Sequence, residues 1–152
     1  MNETIQAALD RSVLCWLATV SADGVPNVSP KEIFAGFGRN AIVIADIASP
    51  VSVRNLRQNP KVCVSFIDVF RQRGFKAKGM ARVIAPDEGD FRNYGAELLD
   101  KAGGEFPIHH VILVNLQQVA RIKAPSYRFY PDRSEDEIMR AAHRTYGVQP
   151  AA

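Results

Sequence analysis

At 152 residues, with 47% hydrophobic content and a formal charge of +3, the chain can bury one core as a single domain over 1–152, which excludes a repeat array, a fibre or a disordered segment. No apolar run approaches the ~20 residues of a spanning helix, and the opening MNETIQAALD lacks the basic-then-apolar order of a secretory signal, so a cytoplasmic protein without membrane contact is expected. The basic residues scattered from Arg54 to Arg82 carry neither interleaved aromatics nor a helix-turn-helix pattern. Nucleic acid is therefore a poor fit, and a small anionic ligand a better one.

Ile5, Ala8 and Leu9 recur at helical spacing behind the cap residues Asn2 and Thr4, which predicts a short N-terminal helix. Residues 13–20 form an apolar run of strand formers, and Ser21-Ala22-Asp23-Gly24 has hairpin-turn chemistry. Residues 25–35 return as a second strand. Pro26 and Pro30 each remove a ladder donor there, marking an edge, a bulge or a backbone that faces a ligand. Phe37-Gly38-Arg39-Asn40 reads as a turn, and Ala41 to Asp46 as a short, wholly apolar strand ending in a carboxylate.

A helix follows at once: Ser49 is a good N-cap, Pro50 suits the first helical position, and Asn59-Pro60 ends it. Val62 to Asp68 is the next strand, Arg71 to Gly74 a loop, and Phe75 to Ile84 a long strand. Alternation there places Lys76 and Lys78 with Met80 on one face, against Phe75, Ala77 and Gly79 on the other. Asp87, Glu88 and Asp90 open a helix that Gly103-Gly104 terminates. Ile108 to Lys123 supplies the last strand or pair of strands, and Ser134 to Tyr146 a terminal helix with Glu135, Asp136 and Glu137 in its first turn. Strands with short helices inserted between them, and few long crossovers, favour a mainly β (α+β) fold: a six-stranded antiparallel barrel with short flanking helices.

The side chains are poor in reactive groups. There is no G-x-S-x-G elbow, no P-loop ending in Gly-Lys-Ser/Thr and no H-E-x-x-H helix. His109 and His110, adjacent in a strand, point to opposite faces and do not form a joint metal site. Cys15 and Cys63 lie in separate apolar runs without CxxC spacing, as small buried hydrophobes do. No catalytic residue stands out, so any chemistry is expected to come from a cofactor. The start of the helix at Ser49 offers it a cradle, because first-turn amides lack intrahelical partners and carry partial positive charge. Ser52, Asn55 and Arg54 stand near enough to add side-chain donors. The same local sequence also describes a serine-capped helix that holds nothing.

The ordered series LCWLATV, S-A-D-G, P-N-V-S-P-K, the strand ending Ala45-Asp46, the helix start at Ser49, N-P-K-V and F-K-A-K-G-M-A resembles the pyridoxamine 5'-phosphate oxidase-like FMN-binding split-barrel family over about residues 10–85. The resemblance implies FMN as cofactor and a homodimer that holds it between subunits. It maps flavin and ribityl contacts onto Val28, Ser29, Pro30 and Lys31, and phosphate contacts onto Ala45, Asp46, Ser52 and Asn55. Gly74, Lys76 and Lys78 fall in the region that reaches the flavin, often from the other subunit. Val51 and Ser52 stand where the family usually carries an arginine–lysine pair, and the only tryptophan, Trp16, leaves no counterpart to the C-terminal motif of true pyridoxamine phosphate oxidases. The implied activity is transfer of hydride or electrons between a reductant and a small-molecule acceptor. The alternative is a non-enzymatic flavin, haem or deazaflavin binder or sensor of the same fold, with His109, His110 and His143 as available axial ligands.

Overall fold

The structure, a computed structural model, describes residues 3–150. The elements run α1 (Glu3–Arg11), β1 (Cys15–Val20), β2 (Pro26–Lys31), β3 (Phe34–Phe37), β4 (Ala41–Asp46), α2 (Pro50–Gln58), β5 (Lys61–Asp68), β6 (Arg73–Ile84), α3 (Asp90–Ala102), β7 (His110–Lys123), α4 (Ser126–Phe129) and α5 (Glu135–Tyr146). The proposed cap Asn2 lies outside the described residues, and Thr4 sits inside α1 rather than before it.

The strands form one antiparallel sheet in the order β2-β1-β5-β6-β7-β4-β3. Seven strands replace the six expected, because residues 25–35 divide at Glu32-Ile33 into β2 and β3. Those two strands occupy opposite edges of the sheet, yet the link between them spans only about 10 Å at full extension. The sheet must curl until its edges meet, and this curl makes the split barrel. As an edge strand, β2 tolerates Pro26 and Pro30.

Inward-facing Leu17, Val64, Phe66, Ala77, Ile112 and Val114 fill the barrel, with α1 adding Ala8 and Leu9. A second apolar layer lies outside, where Val43, Ala45, Val111 and Leu113 meet Phe91 and Leu98 of α3. Strand β4 serves both layers, so all six of its residues are buried; that accounts for the apolar run from Ala41 to Ala45 ahead of Asp46. Burial pushes the Cys15 thiol up to about 12, against the opposing pull of Lys31. Both cysteines are free thiols.

Several element ends differ from expectation for local reasons. Strand β6 begins at Arg73 after a left-handed Gln72, φ 52°, so Arg73 and Gly74 belong to the ladder rather than the loop. Helix α3 starts only at Asp90, since Glu88 bonds back to the Ala85 amide at 2.8 Å and closes a turn. Residues 110–123 form one strand whose excess length over β6 is absorbed by a bulge opposite Lys78/Gly79.

Helix α5 carries the expected cap in full: Ser134 and Glu137 form a reciprocal capping box. It is tied to the barrel by Glu135, which accepts from Arg71 at 2.9 Å and from Arg73 at 2.7 Å. His143 packs on Phe70, with ring centroids 4.5 Å apart.

Candidate cofactor cleft and outer sheet face

Strand β2 alternates along its length, so Asn27, Ser29 and Lys31 turn toward the covered side while Pro26, Val28 and Pro30 face out. The last of the covered set, Lys31, is 6% exposed. Its ammonium donates to Ser49 Oγ, and among the described residues no carboxylate lies within ion-pair distance of it. Burial pushes its pKa down from the ordinary 10.5, with Asp46 and Cys15 opposing the shift. A buried, unpaired ammonium is costly to the fold unless an anion reaches it.

Ser49 stands at the N-cap position, but its side chain makes no cap bond. Its hydroxyl serves Lys31 instead, and its amide donates to Asp46 Oδ1 at 3.0 Å. Asp46 is 4% exposed; its second oxygen accepts from His110 Nδ1 at 2.8 Å. The far ring nitrogen, Nε2, accepts from Arg57 Nη2 at 3.3 Å. A guanidinium only donates, so this arrangement places the imidazole proton on Nδ1.

Helix α2 turns Ser52 and Asn55 inward, both buried. Asn55 donates to Thr19 Oγ1 at 3.1 Å, which also receives Asn27 at 3.3 Å. The Ser52 hydroxyl, in a residue 1% exposed, has no hydrogen-bond partner among the described residues. Buried polar atoms are almost always paired, so this one marks either strain or an absent acceptor. The first-turn amides of Val51 and Ser52 have no intrahelical acceptor either.

Between β2 and the β4–α2 connection lies a cleft of about 480 Å³. Ser29, Pro30, Lys31, Ala45, Ser49 and Phe106 are among the residues lining it. Of the anticipated residues, then, Ser29, Pro30, Lys31 and Ala45 share one cleft, Asp46 borders it through Ser49, and Ser52 and Asn55 lie beneath α2. Sequence reasoning missed Phe106, 48% exposed after the Gly103-Gly104 turn, because a lone aromatic in a loop carries no pattern.

The remaining anticipated residues lie elsewhere. Val28 pairs with Ala18, Ala18 with Cys63 and Cys63 with Lys78. Pro30, Trp16, Ser65 and Lys76 form the next row. Both rows belong to the outer face of the sheet, where Val28 is 59% and Trp16 41% exposed. Gly74 is buried, and a Cβ there would come 2.0 Å from the Phe66 carbonyl oxygen. Gly74→Ala is expected to cost about 1–3 kcal/mol by forcing β5 and β6 apart, read as a lower midpoint in denaturant unfolding.

The sequence profile described as pyridoxamine 5'-phosphate oxidase matches residues 1–123. The chain belongs to that family. The matched part ends with β7, so α4 and α5 lie beyond it. No curated protein sequence matches the chain. Among solved structures, an FMN-binding protein from Syntrophomonas wolfei superposes with a TM-score of 0.68 at 13% identity, covering 80% of this chain and 86% of that one. HutZ, the heme storage protein of Vibrio cholerae, gives 0.63 at 19% identity over 79% and 92%. An F420 reductase gives 0.60 at 24% identity over 79% and 98%. At these identities the likeness shows a shared fold, while the names of those proteins mention FMN, F420 and heme. No helix among the described residues is long and apolar enough to cross a membrane.

Proposed function

We propose that this family member is an FMN-binding flavoprotein that passes hydride or electrons between a reductant and a small-molecule acceptor, and that it works as a homodimer with the cofactor between subunits. The observation that carries the reading is Lys31: a buried ammonium beside an open cleft, hydrogen-bonded to a serine and lacking an ion-pair partner among the described residues. Such a group calls for an external anion.

The unpartnered Ser52 hydroxyl and the adjacent first-turn amides are donors of the kind a phosphate accepts from. The residues present therefore fit an FMN phosphate, although Val51 and Ser52 replace the family's usual cationic pair. Lys31 supplies positive charge to the cofactor's anionic groups, Asp46 and Ser49 hold Lys31 in place, and Asn55 with Thr19 fixes the face of α2 beneath. When bound, FMN supplies the redox chemistry. On the outer face, Trp16 and Val28 give a second subunit an apolar surface, with Lys76 and Lys78 as flanking cations.

The test is the visible spectrum of protein purified without added cofactor, followed by mass spectrometry of what denaturation releases. Flavin bands and released FMN support the proposal; a Soret band with haem, or a released deazaflavin, replaces FMN with the alternative ligand. A colourless protein that also fails to take up added FMN rejects the flavoprotein reading. Ser52→Ala removes a hydroxyl that has no partner among the described residues, so it is expected to leave the unliganded thermal midpoint nearly unchanged. It should weaken FMN binding by about 1.5–3 kcal/mol, the usual worth of a hydrogen bond to a charged group, as measured by fluorescence titration.

A further inference from the structure

A second cleft, of about 550 Å³, opens on the far side of the Ile47–Ser49 connection, between α2 and the neighbouring ends of β4 and β7. Pro50, Val53, Arg54, Arg57, His109 and His110 are among its lining residues. Its volume falls within the range of small-molecule sites, about 300–1,000 Å³. None of the resemblance-derived cofactor residues except Asp46 lines it.

Charge is distributed unevenly here. Arg54 and Arg57 stand three residues apart, on one face of α2. Neither has a carboxylate within ion-pair distance among the described residues, in contrast to Arg71, Arg73 and Arg82, each of which is paired. Asp46, the carboxylate among the lining residues, is already committed: it accepts from the Ser49 amide with one oxygen and from His110 with the other. Arg57 is left donating to an imidazole nitrogen, and Arg54 makes no hydrogen bond among the described residues. Ile47, Pro50 and Val53 give the lining its apolar part, and His109 lines the cleft as well.

We propose that this cleft is a second binding site, for a small molecule whose phosphate group sits between Arg54 and Arg57 and whose less polar body lies over Val53 and Pro50. Guanidinium forks match tetrahedral oxyanions, and a phosphate offers acceptor oxygens to donors arriving from several directions. The Asp46–His110 pair fixes the direction of the Arg57 fork by holding its present acceptor in place. The inference does not rest on the flavin reading: the two clefts share only the Ile47–Ser49 wall.

The test titrates the full chain with inorganic pyrophosphate while amide and arginine side-chain NMR signals are followed. Saturable shifts centred on Arg54, Arg57 and His110 are expected, with affinity falling about tenfold or more when either exposed arginine becomes glutamine. Malonate is the dicarboxylate comparison, and tighter binding of malonate than of pyrophosphate overturns the assignment to phosphate. Absence of saturation at millimolar concentration, or saturation that persists unchanged in the R54Q/R57Q double variant with native circular dichroism, overturns the site. Repeating the titration with the Lys31→Met variant separates the two clefts: the second site retains pyrophosphate there, and a loss of binding would place the anion at Lys31 instead.

Discussion

Replacing Lys31 by methionine is expected to raise the thermal midpoint of the cofactor-free protein while weakening the proposed FMN binding by about 1.5–3 kcal/mol. The two effects have one origin. In the free protein the ammonium is buried, its only hydrogen bond among the described residues goes to Ser49, and desolvation disfavours its charged form. Methionine fills similar space without charge, and exchanging buried ionic groups for apolar ones is commonly neutral or stabilising by about 1–4 kcal/mol. Asp46 is not orphaned by the change, since the Ser49 amide and His110 still bond it.

The pH dependence follows from the direction of the shift. With the folded-state pKa lowered from 10.5, the unfolded chain binds the extra proton between the two values, and stability rises with pH across that window. Below the folded value the penalty is present in full. The stability gap between variant and wild type is therefore expected to be widest at neutral pH and to close as pH approaches 10.5. Thermal melts of both proteins across that range check it; a variant that is less stable at neutral pH would mean that the fold itself depends on the ammonium.

If the proposed homodimer forms, Trp16→Glu is expected to convert it to monomer and to release the proposed FMN with it. Trp16 stands 41% exposed on the outer sheet face, one row from Val28 at 59%. Aromatic anchors that become buried in an interface commonly carry about 2 kcal/mol or more of an association energy, and a carboxylate at the same point must be desolvated as well. Sedimentation at micromolar concentration reads the mass, and absorbance of the sedimenting species reads the flavin. A wild-type monomer that still carries FMN would remove the interface from the proposal. Barrel packing is not at stake, because the neighbouring inward positions Cys15 and Leu17 fill the core while Trp16 does not.

Features governed by near neighbours in the chain were legible before the fold was known. The Ser21–Gly24 turn has Gly24 at φ 83°, Pro50 opens α2, and the capping box of α5 joins residues three apart. The break between β2 and β3 was not legible, since Glu32-Ile33 contains neither glycine nor proline and the curl of the whole sheet imposes it. The short α4 was missed for want of a periodic pattern.

The site divides in the same way. The order of motifs nominates Lys31, Asp46 and Ser52 as candidates, but not their partnerships. Lys31 meets Ser49 across 18 positions, Asn55 meets Thr19 across 36, and Asp46 meets His110 across 64. Those distances are closed by strand register, which local sequence does not encode. The second arginine cleft was hidden for the same reason: Arg54 and Arg57 look like an ordinary solvated helix face until β7 brings His110 alongside.

The seam at Glu32-Ile33 also orders events during folding. Hairpins β1–β2 and β3–β4 each close locally, but the sheet joins them only through β5, β6 and β7, and β4 must wait for a strand that begins at His110. Lys31 comes from the first hairpin and Ser49 follows the second, so the cleft between them requires both hairpins to be in place. Long-range pairing of this sort is slow to form because loop closure precedes its reward. A chain in which either hairpin is unformed has no complete cleft to offer, and a ligand that recognises only the finished cleft stabilises the native state by mass action.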